Sequence, residues 1–509
     1  MTSTETTAAE PAQNDAPGQR QAELSTAKKV ELIAAMTSIQ LVQMIPFGAG
    51  IAATLPIADD LKLHRDVATW IAASYPLTQG AFVLAGGRIG SMFGHKRTLI
   101  CAGAWWVLWH LVSGFMRNII GLSFCRGLAG AGGAFMVPNS VALLAINIPP
   151  GKMRNIAMGL FGAMAPIGAA GGSVFGALFA QLTHWKWLFF FLAMLGAVVF
   201  SLSAWVTPTD HLPTRGSGSI DWLGAYLGIG GLILFNFVWN SYTNLFPGQA
   251  PSAGWDEAYE YALLIVSVVH LAAFVFWEKN GAKDPILPFD IWTAPSFVSL
   301  ITVSLLSFMA FGVLLWYINV WLLTVRNWTV LLSSAALVPL TVLGAVAAIL
   351  SAWLIPRLSA QYILAIGALC VTVSITLVAT MPAQQSYWPQ LFPAAVLMAF
   401  CPDFIFTAAQ IIASNSVKRH QQGIAGSLIG TIITYGQSIG LGFAGTVERY
   451  STGGEDDLVK GYRHALYFAI GLGVAALVLD LLFVRVAADT QEGWDEEVND
   501  KAQEGSEEA

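Results

Sequence analysis

Apolar runs of about twenty residues recur from residue 31 to the last helical stretch, separated by short polar or Gly/Pro-containing breaks. A helix needs about 20 residues to cross ~30 Å of hydrocarbon. Fourteen runs reach that length: 31–56, 67–90, 98–116, 119–147, 155–181, 186–206, 221–243, 257–278, 297–324, 329–355, 360–381, 389–413, 423–447 and 463–486. Most breaks are short enough to predict antiparallel helical hairpins. Longer ones are 207–220, rich in Pro, Gly and Ser, and 244–256 and 448–462 on the other side. An even number of crossings places both termini together. Segments on their side, with Lys28, Lys29, Lys96, Arg97, Lys152, Arg154, Lys279, Lys283, Lys418 and Arg419, hold about twice the Lys and Arg of the opposite loops. Both termini are therefore expected in the cytoplasm.

The expectation is an all-α membrane protein of 14 transmembrane helices arranged 6 + 2 + 6. A disordered cytoplasmic N-terminus (1–29) precedes a six-helix bundle (30–206) and a cytoplasmic linker (207–220). An inserted helix pair with its own linker (221–290) precedes a second six-helix bundle (291–486). The acidic cytoplasmic tail (487–509) has too few apolar residues to fold.

Within this pattern, residues 159–176 (GLFGAMAPIGAAGGSVFG) stand out. Helical periodicity puts Gly159, Gly162, Ala165, Ala169, Gly172 and Gly176 on one face. Pro166 removes a backbone donor at the centre. Gly and Pro weaken a helix in water, whereas in a bilayer small residues let a second backbone approach closely. Two readings are open: a surface on which helices slide or rock, or a generic small-residue packing face.

Composition narrows the class. The chain is 55% hydrophobic and 11% charged, against about 25% charged in soluble domains. The net charge of −6 comes largely from the tail. Residues 1–26 are polar and show no apolar signal core, so the first helix is expected to act as an uncleaved anchor. Cys101, Cys125, Cys370 and Cys401 all lie in apolar runs without metal-ligand spacing. No phosphate-binding GxxxxGK[ST] loop occurs, and no nucleophile–base pair can be assembled from the spacings. The expectation is no enzyme, no metal, no cofactor and no nucleic-acid partner. The partners are the bilayer, a small molecule and protons, and the protein acts as a monomer.

Two charges lie deep in apolar runs. Arg126 is about seven residues into its run, ~10 Å from the surface, where arginine costs about 2.5–3.5 kcal/mol unless it faces protein or water. It either lines a cavity or snorkels. Asp403 follows Pro402, which cannot donate to the Met398 carbonyl, so the helix is expected to break there. A carboxylate at that depth is costly to keep charged, making it a candidate proton carrier; a permanent hydrogen bond to the broken helix is the other reading. Asp480, Arg485, Glu278 and Glu448 read as solvated anchors near helix ends. His110 and His270 read as packing residues. Gln40, Gln43, Tyr75, Gln79, Asn139, Tyr317, Asn319, Gln410, Tyr435 and Gln437 are candidates to line a central cavity, and with the abundant aromatics they suggest an amphipathic or apolar organic substrate.

Several motifs carry a resemblance. Residues 70–97 (WIAASYPLTQGAFVLAGGRIGSMFGHKR) resemble the signature of the major facilitator superfamily between helices two and three. Residues 126–139 (RGLAGAGGAFMVPN) resemble its helix-four arginine motif, and 159–176 followed by HWKWLFFF its antiporter motif. DWLGAYLGIGGLILFNFVWN and IIASNSVKRHQQGIAGSLIGTIITYGQSIGLGFAGTVE look like the 14-helix drug:proton antiporter family, in its fungal aminotriazole-resistance-like group. The resemblance implies an antiporter exporting toxic compounds or secondary metabolites across the fungal plasma membrane. It implies proton coupling at Arg126 and conformational roles for Gly90, Ser91, Gly94, Lys96 and Arg97, and for Gly162, Pro166, Gly168, Gly172 and Gly176. The family usually has an acid where this chain has Ser91, so the cytoplasmic latch between the halves is expected to be weaker here.

Overall fold

The computed structural model describes residues 24–63, 65–149, 152–208, 219–240, 258–355, 357–417, 421–451 and 457–485. Residues 1–23, 209–218 of the 207–220 linker, the 244–256 loop, 452–456 of the 448–462 loop, Lys418, Arg419 and the acidic tail lie outside the described residues.

Among the described residues every regular element is helical. The first half holds α1 (Thr26–Asp60), α2 (Arg65–Phe93), α3 (His95–Ser113), α4 (Ile119–Asn147), α5 (Lys152–Leu182) and α6 (Lys186–Val206). Then come α7 (Trp222–Asn240) and α8 (Ala258–Asn280). The second half runs through α9 (Phe297–Val320), α10 (Val330–Ala335), α11 (Val338–Leu354), α12 (Ala360–Thr380), α13 (Leu391–Met398), α14 (Phe400–Ser416), α15 (Gln422–Ser451) and α16 (Leu458–Phe483). A π turn, Trp321–Val325, prolongs α9. α13 and α14 are one rod broken at Ala399, where Pro402 withholds the donor for Met398. α10 and α11 are likewise interrupted beside Pro339.

Twelve helical runs among the described residues are long and apolar enough to cross a membrane. α2 and α3 fall outside the twelve because polar residues lower their hydropathy. Part of that polar set is turned into protein: Thr69, Ser74, Tyr75 and Gln79 of α2, and His110 and Ser113 of α3, are buried, whereas Arg97 at the start of α3 is exposed.

One apolar core is built from α1 to α6 around Met36, Trp106, Leu144 and Phe189. A second, around Phe297, Trp321, Ile375 and Phe404, belongs to α9–α16, with Phe47, Ile51 and Leu55 of α1 reaching into it. Trp70 and Leu77 of α2, Met309 of α9 and Tyr435 and Ile439 of α15 form a third cluster, covered by Phe235, Phe237 and Trp239 of α7. α7 therefore lies across the seam between α2 and α15, and α8 packs on α7.

The glycine run of α5 is divided by the structure. Gly168, Gly172 and Gly176 lie against the α1 backbone at Leu41, Ile45 and Ala49, so close that a Cβ at Gly172 would overlap the Ile45 carbonyl. Gly159 and Gly162 have no neighbouring atom within 4 Å of a Cβ position. On a straight helix they lie about 140° and about 80° from the centre of the Gly168–Gly176 row, so the single face expected from Gly159 onward is corrected. This ridge joins two helices of the same half. Pro166 points elsewhere, to Gly344 of α11, whose Cβ position is 3.0 Å from Pro166 Cβ.

Candidate functional site

Four of the polar candidates gather in the first half. Gln43 donates to Gln40 Oε1 (2.9 Å), and Gln79 donates to Gln43 Oε1 (2.6 Å). The Tyr75 hydroxyl donates to the Gln43 carbonyl (2.7 Å) and accepts from the Trp106 indole (3.1 Å). This chain links α1, α2 and α3 through side chains that are all buried.

Beside it, Arg126 of α4 is 1% exposed, so it faces protein rather than snorkelling. Its Nη2 donates to the Pro46 carbonyl of α1 (3.0 Å), and its Cζ is 6.0 Å from the centre of the Phe189 ring. The close approach needs Gly50, where a Cβ would overlap the guanidinium. Arg126 Nε and Nη1 have no hydrogen-bond partner. Each buried unpaired donor costs about 1–3 kcal/mol, so the geometry keeps Arg126 available for other interactions.

Asp403 of α14 is 8% exposed and its Oδ2 has no partner. It lies 3.7 Å from the Cβ position of Gly344, the residue that meets Pro166. The carboxyl is thus at the α5–α11 contact between the halves. Arg126 and Asp403 are not brought together, and no ion pair or hydrogen bond joins them.

The other candidates disperse. Asn319 of α9 donates to the Ile51 carbonyl of α1 (3.0 Å), across the halves. Tyr317 donates to Glu448 (2.5 Å). Gln410 joins α14 to the Gly426 carbonyl of α15 (3.1 Å). Tyr435 donates to the Leu232 carbonyl of α7 (2.8 Å). Gln437 reaches only Ile433 of its own helix (3.4 Å), leaving Oε1 unpartnered.

Asn139 is a correction to the cavity set. It sits under the α2–α3 turn, where Nδ2 donates to the Gly86 and Phe135 carbonyls (3.1 and 2.6 Å) and Oδ1 is 2.8 Å from His95 Nδ1. With Oδ1 an acceptor, His95 Nδ1 is the donor. A Cβ at Gly90 would overlap Asn139, and Gly94, which caps α3, has φ 97°, a conformation open to glycine. Ser91 bonds the Arg88 carbonyl of its own helix (2.8 Å), Lys96 bonds the Thr207 carbonyl, and Arg97 is exposed.

Sequence reasoning missed a second tie at this end. Arg88 Nη2 reaches the Ser219 carbonyl (3.4 Å), and Asp284 accepts from the Ser219 N–H (2.6 Å) and hydroxyl (3.0 Å). These bonds hold the Asp284 carboxyl below the usual carboxylate range. Asn236 and Asn240 of α7 were missed as well. Both are buried, and they bond each other (2.9 Å) and Ser438 of α15 (3.1 and 3.3 Å), while Ser438 also lies 3.1 Å from the Ala73 carbonyl of α2. Their i, i+4 spacing in an apolar helix was the available signal. Two expected anchors are corrected: Asp480 is 0% exposed with both carboxyl oxygens unpartnered, and buried Glu278 accepts from the Leu287 N–H (3.1 Å).

α2 and α15 pack along their length, with the Cβ positions of Gly80 and Gly87 2.6 Å from Tyr435 N and 3.1 Å from Ser427 Oγ, and further hydrogen bonds join the halves toward the end away from the α1 N-terminus. Beside Asn319–Ile51, Ser334 of α10 donates to the Ser173 carbonyl of α5 (3.2 Å), and the Leu331 N–H donates to Gln181 (3.0 Å). Two helical halves meeting this way, with α7 and α8 alongside, agree with what the sequence matches. Residues 35–384 match the profile of the Major Facilitator Superfamily. The chain belongs to that superfamily. Within it, the chain is 33% identical to the efflux pump terJ of Aspergillus terreus, over 90% of this chain and 88% of that protein. It is 31% identical to the aminotriazole resistance protein of Saccharomyces cerevisiae (86% and 81%) and 37% identical to that organism's low affinity ammonium transporter (79% and 78%). These matches place this major facilitator protein with the fungal aminotriazole-resistance-like group and point to a transporter. The structure of an auto-inhibited POT family peptide transporter superimposes with a TM-score of 0.64 at 14% identity, covering 90% of this chain and 98% of that one. At that identity the likeness concerns the major facilitator fold alone.

Proposed function

We propose that this major facilitator protein is a proton-coupled exporter of a small amphipathic organic compound. It would act as a monomer in the plasma membrane with both termini cytoplasmic. In this reading all fourteen rods cross the bilayer, α2 and α3 included, because the polar side chains along their middle, Ser74, Tyr75, Gln79 and His110, face protein. The bundles 30–206 and 291–486 rock about a midplane site, with the 221–290 pair moving alongside. With the α1 N-terminus inside, the hydrogen bonds at Asn319, Ser334 and Leu331 tie the halves toward the outer side.

Asp403 carries the reading. A carboxyl buried without a full set of partners, at the Pro166–Gly344 contact between α5 and α11, is placed to feel and bias that contact. Protonation removes the cost of an unpaired buried charge, so proton entry from outside would favour a different packing of the seam and release substrate outward. Arg126 acts separately, within the first half. Efflux-pump relatives support the direction of transport. The test is flux in proteoliposomes under an imposed pH gradient: efflux that ignores the gradient, or is unchanged in Asp403→Asn and Arg126→Ala, overturns the coupling.

The likeness to an ammonium transporter favours a second reading, import or facilitation of a small solute on the same scaffold. Intracellular solute in a deletion strain separates the two. An exporter's loss raises it, whereas an importer's loss lowers it.

A further inference from the structure

Two guanidinium groups meet round one residue at the end of the second half away from the α1 N-terminus. Arg326, just past the π turn of α9, donates through Nη2 to Met381 Sδ (3.3 Å) and through Nε to the Ala383 carbonyl (3.3 Å). Arg463 of α16 donates through Nη2 to the Met381 carbonyl (3.0 Å). Trp321 belongs to the same group: its indole N–H reaches the same Ala383 carbonyl (3.4 Å), and its ring centre is 6.0 Å from Arg463 Cζ. Trp328 lies beside Arg326, with 5.7 Å from Cζ to ring centre.

Among the described residues no carboxylate pairs with either charge. Arg326 is 8% exposed and its Nη1 has no partner; Arg463 Nε is buried and also has none. Neither arginine is ion-paired among the described residues, and the Glu448 carboxylate is engaged by the Tyr317 hydroxyl. Met381 caps the C-terminus of α12, so its carbonyl supplies part of a helix dipole, equivalent to about half a negative charge. Half a charge faces two positive ones, and the thioether is a weak acceptor. A buried guanidinium such as that of Arg326 requires a counter-charge, and the planar forks of both arginines fit carboxylate and phosphate oxygens.

We propose that Arg326 and Arg463 form an oxyanion-binding site, taking a carboxylate or phosphate group from the side of the membrane opposite the α1 N-terminus. The unpartnered N–H groups, Arg326 Nη1 and Arg463 Nε, are its donors. The group can belong to a soluble anion or to the headgroup of an anionic phospholipid. The site is separate from Asp403 and Arg126 and does not rest on the transport reading.

The test measures the thermal unfolding midpoint of the full chain in two formats. In neutral detergent, inorganic phosphate is titrated against chloride at matched ionic strength. In vesicles, phosphatidylcholine is compared with phosphatidylcholine containing phosphatidylglycerol. The expected result is a saturable rise with phosphate, identifying a soluble anion, or a rise with phosphatidylglycerol, identifying a headgroup. In Arg463→Gln that rise is lost or its half-saturation point is at least about tenfold higher. No anion-dependent rise in either format, or an equal rise in Arg463→Gln, overturns the proposal. Should Arg463→Gln fail to fold, Arg463→Lys keeps the charge and removes the fork, and an undiminished response there overturns it equally.

Discussion

Asn319 of α9 donates its side-chain N–H to the Ile51 carbonyl of α1 at 3.0 Å, joining the second half to the first. The bond is buried, and it shares its end of the molecule with Ser334–Ser173 and Leu331–Gln181. A hydrogen bond of this kind contributes about 1 kcal/mol net. Asn319→Ala is therefore expected to raise the population open at that end by about fivefold. Spin labels at the exposed positions 182 and 332 would report the separation of α5 and α10. An unchanged distance distribution would show that Asn319 does not hold the halves together.

Gly172 and Gly162 should respond oppositely. A Cβ at Gly172 overlaps the Ile45 carbonyl, whereas Gly162 has open space around it. Gly172→Ala is expected to lose about 1–3 kcal/mol by overpacking. Gly162→Ala is expected to be neutral or to gain up to about 1 kcal/mol from helix propensity. Thermal unfolding of the two variants side by side decides the matter, and equal midpoints would refute the division of the glycine run.

Asn139 and Gly90 should be coupled. Asn139→Ala leaves the His95 N–H without its partner, at about 1–3 kcal/mol if water cannot reach it, and removes a second bond from the Gly86 carbonyl, which keeps its helical one. Gly90→Ala drives a methyl group into Asn139. Because Asn139→Ala removes much of that overlap, the double variant should be less destabilised than the sum of the singles, by about 0.5–3 kcal/mol. Simple additivity would mean that the α2–α3 turn is not built round this amide.

The Ser219–Asp284 tie predicts a pH dependence. The folded carboxyl is held below its ordinary range by the Ser219 N–H and hydroxyl. Its contribution is therefore present above the unfolded value, about 3.9, and is lost as pH falls through the lower folded value. Asp284→Asn should unfold at a slightly lower temperature than the parent at pH 7, with the gap narrowing below about pH 4. A gap independent of pH would place its origin elsewhere.

How far the sequence reaches differs between helices and sites. Runs at 119–147 and 186–206 coincide with α4 and α6, and the break ahead of Pro402 appears at Ala399. These are local consequences of hydrocarbon thickness and of a missing backbone donor. Arg126 was legible for the same reason, since a charge at that depth has to be accommodated by protein. The pairing of Gln43 with Gln79, the diversion of Asn139 to His95, and the separation of Arg126 from Asp403 were not legible. Each joins residues distant in sequence, and polar side chains in a membrane helix serve cavities and helix contacts alike.

By itself, the sequence determined that this chain is a bundle of membrane helices of the major facilitator kind, because hydrophobic length and motif spacing act within single helices. Only the tertiary structure decided which face of α5 holds α1 and which carries Pro166 to Gly344, and that Asp480 and Glu278 are buried. It also decided that α7 covers the seam between α2 and α15. Those outcomes depend on the rotation of each helix about its axis. That rotation is set by the neighbours it packs against, and no pattern along one helix contains it.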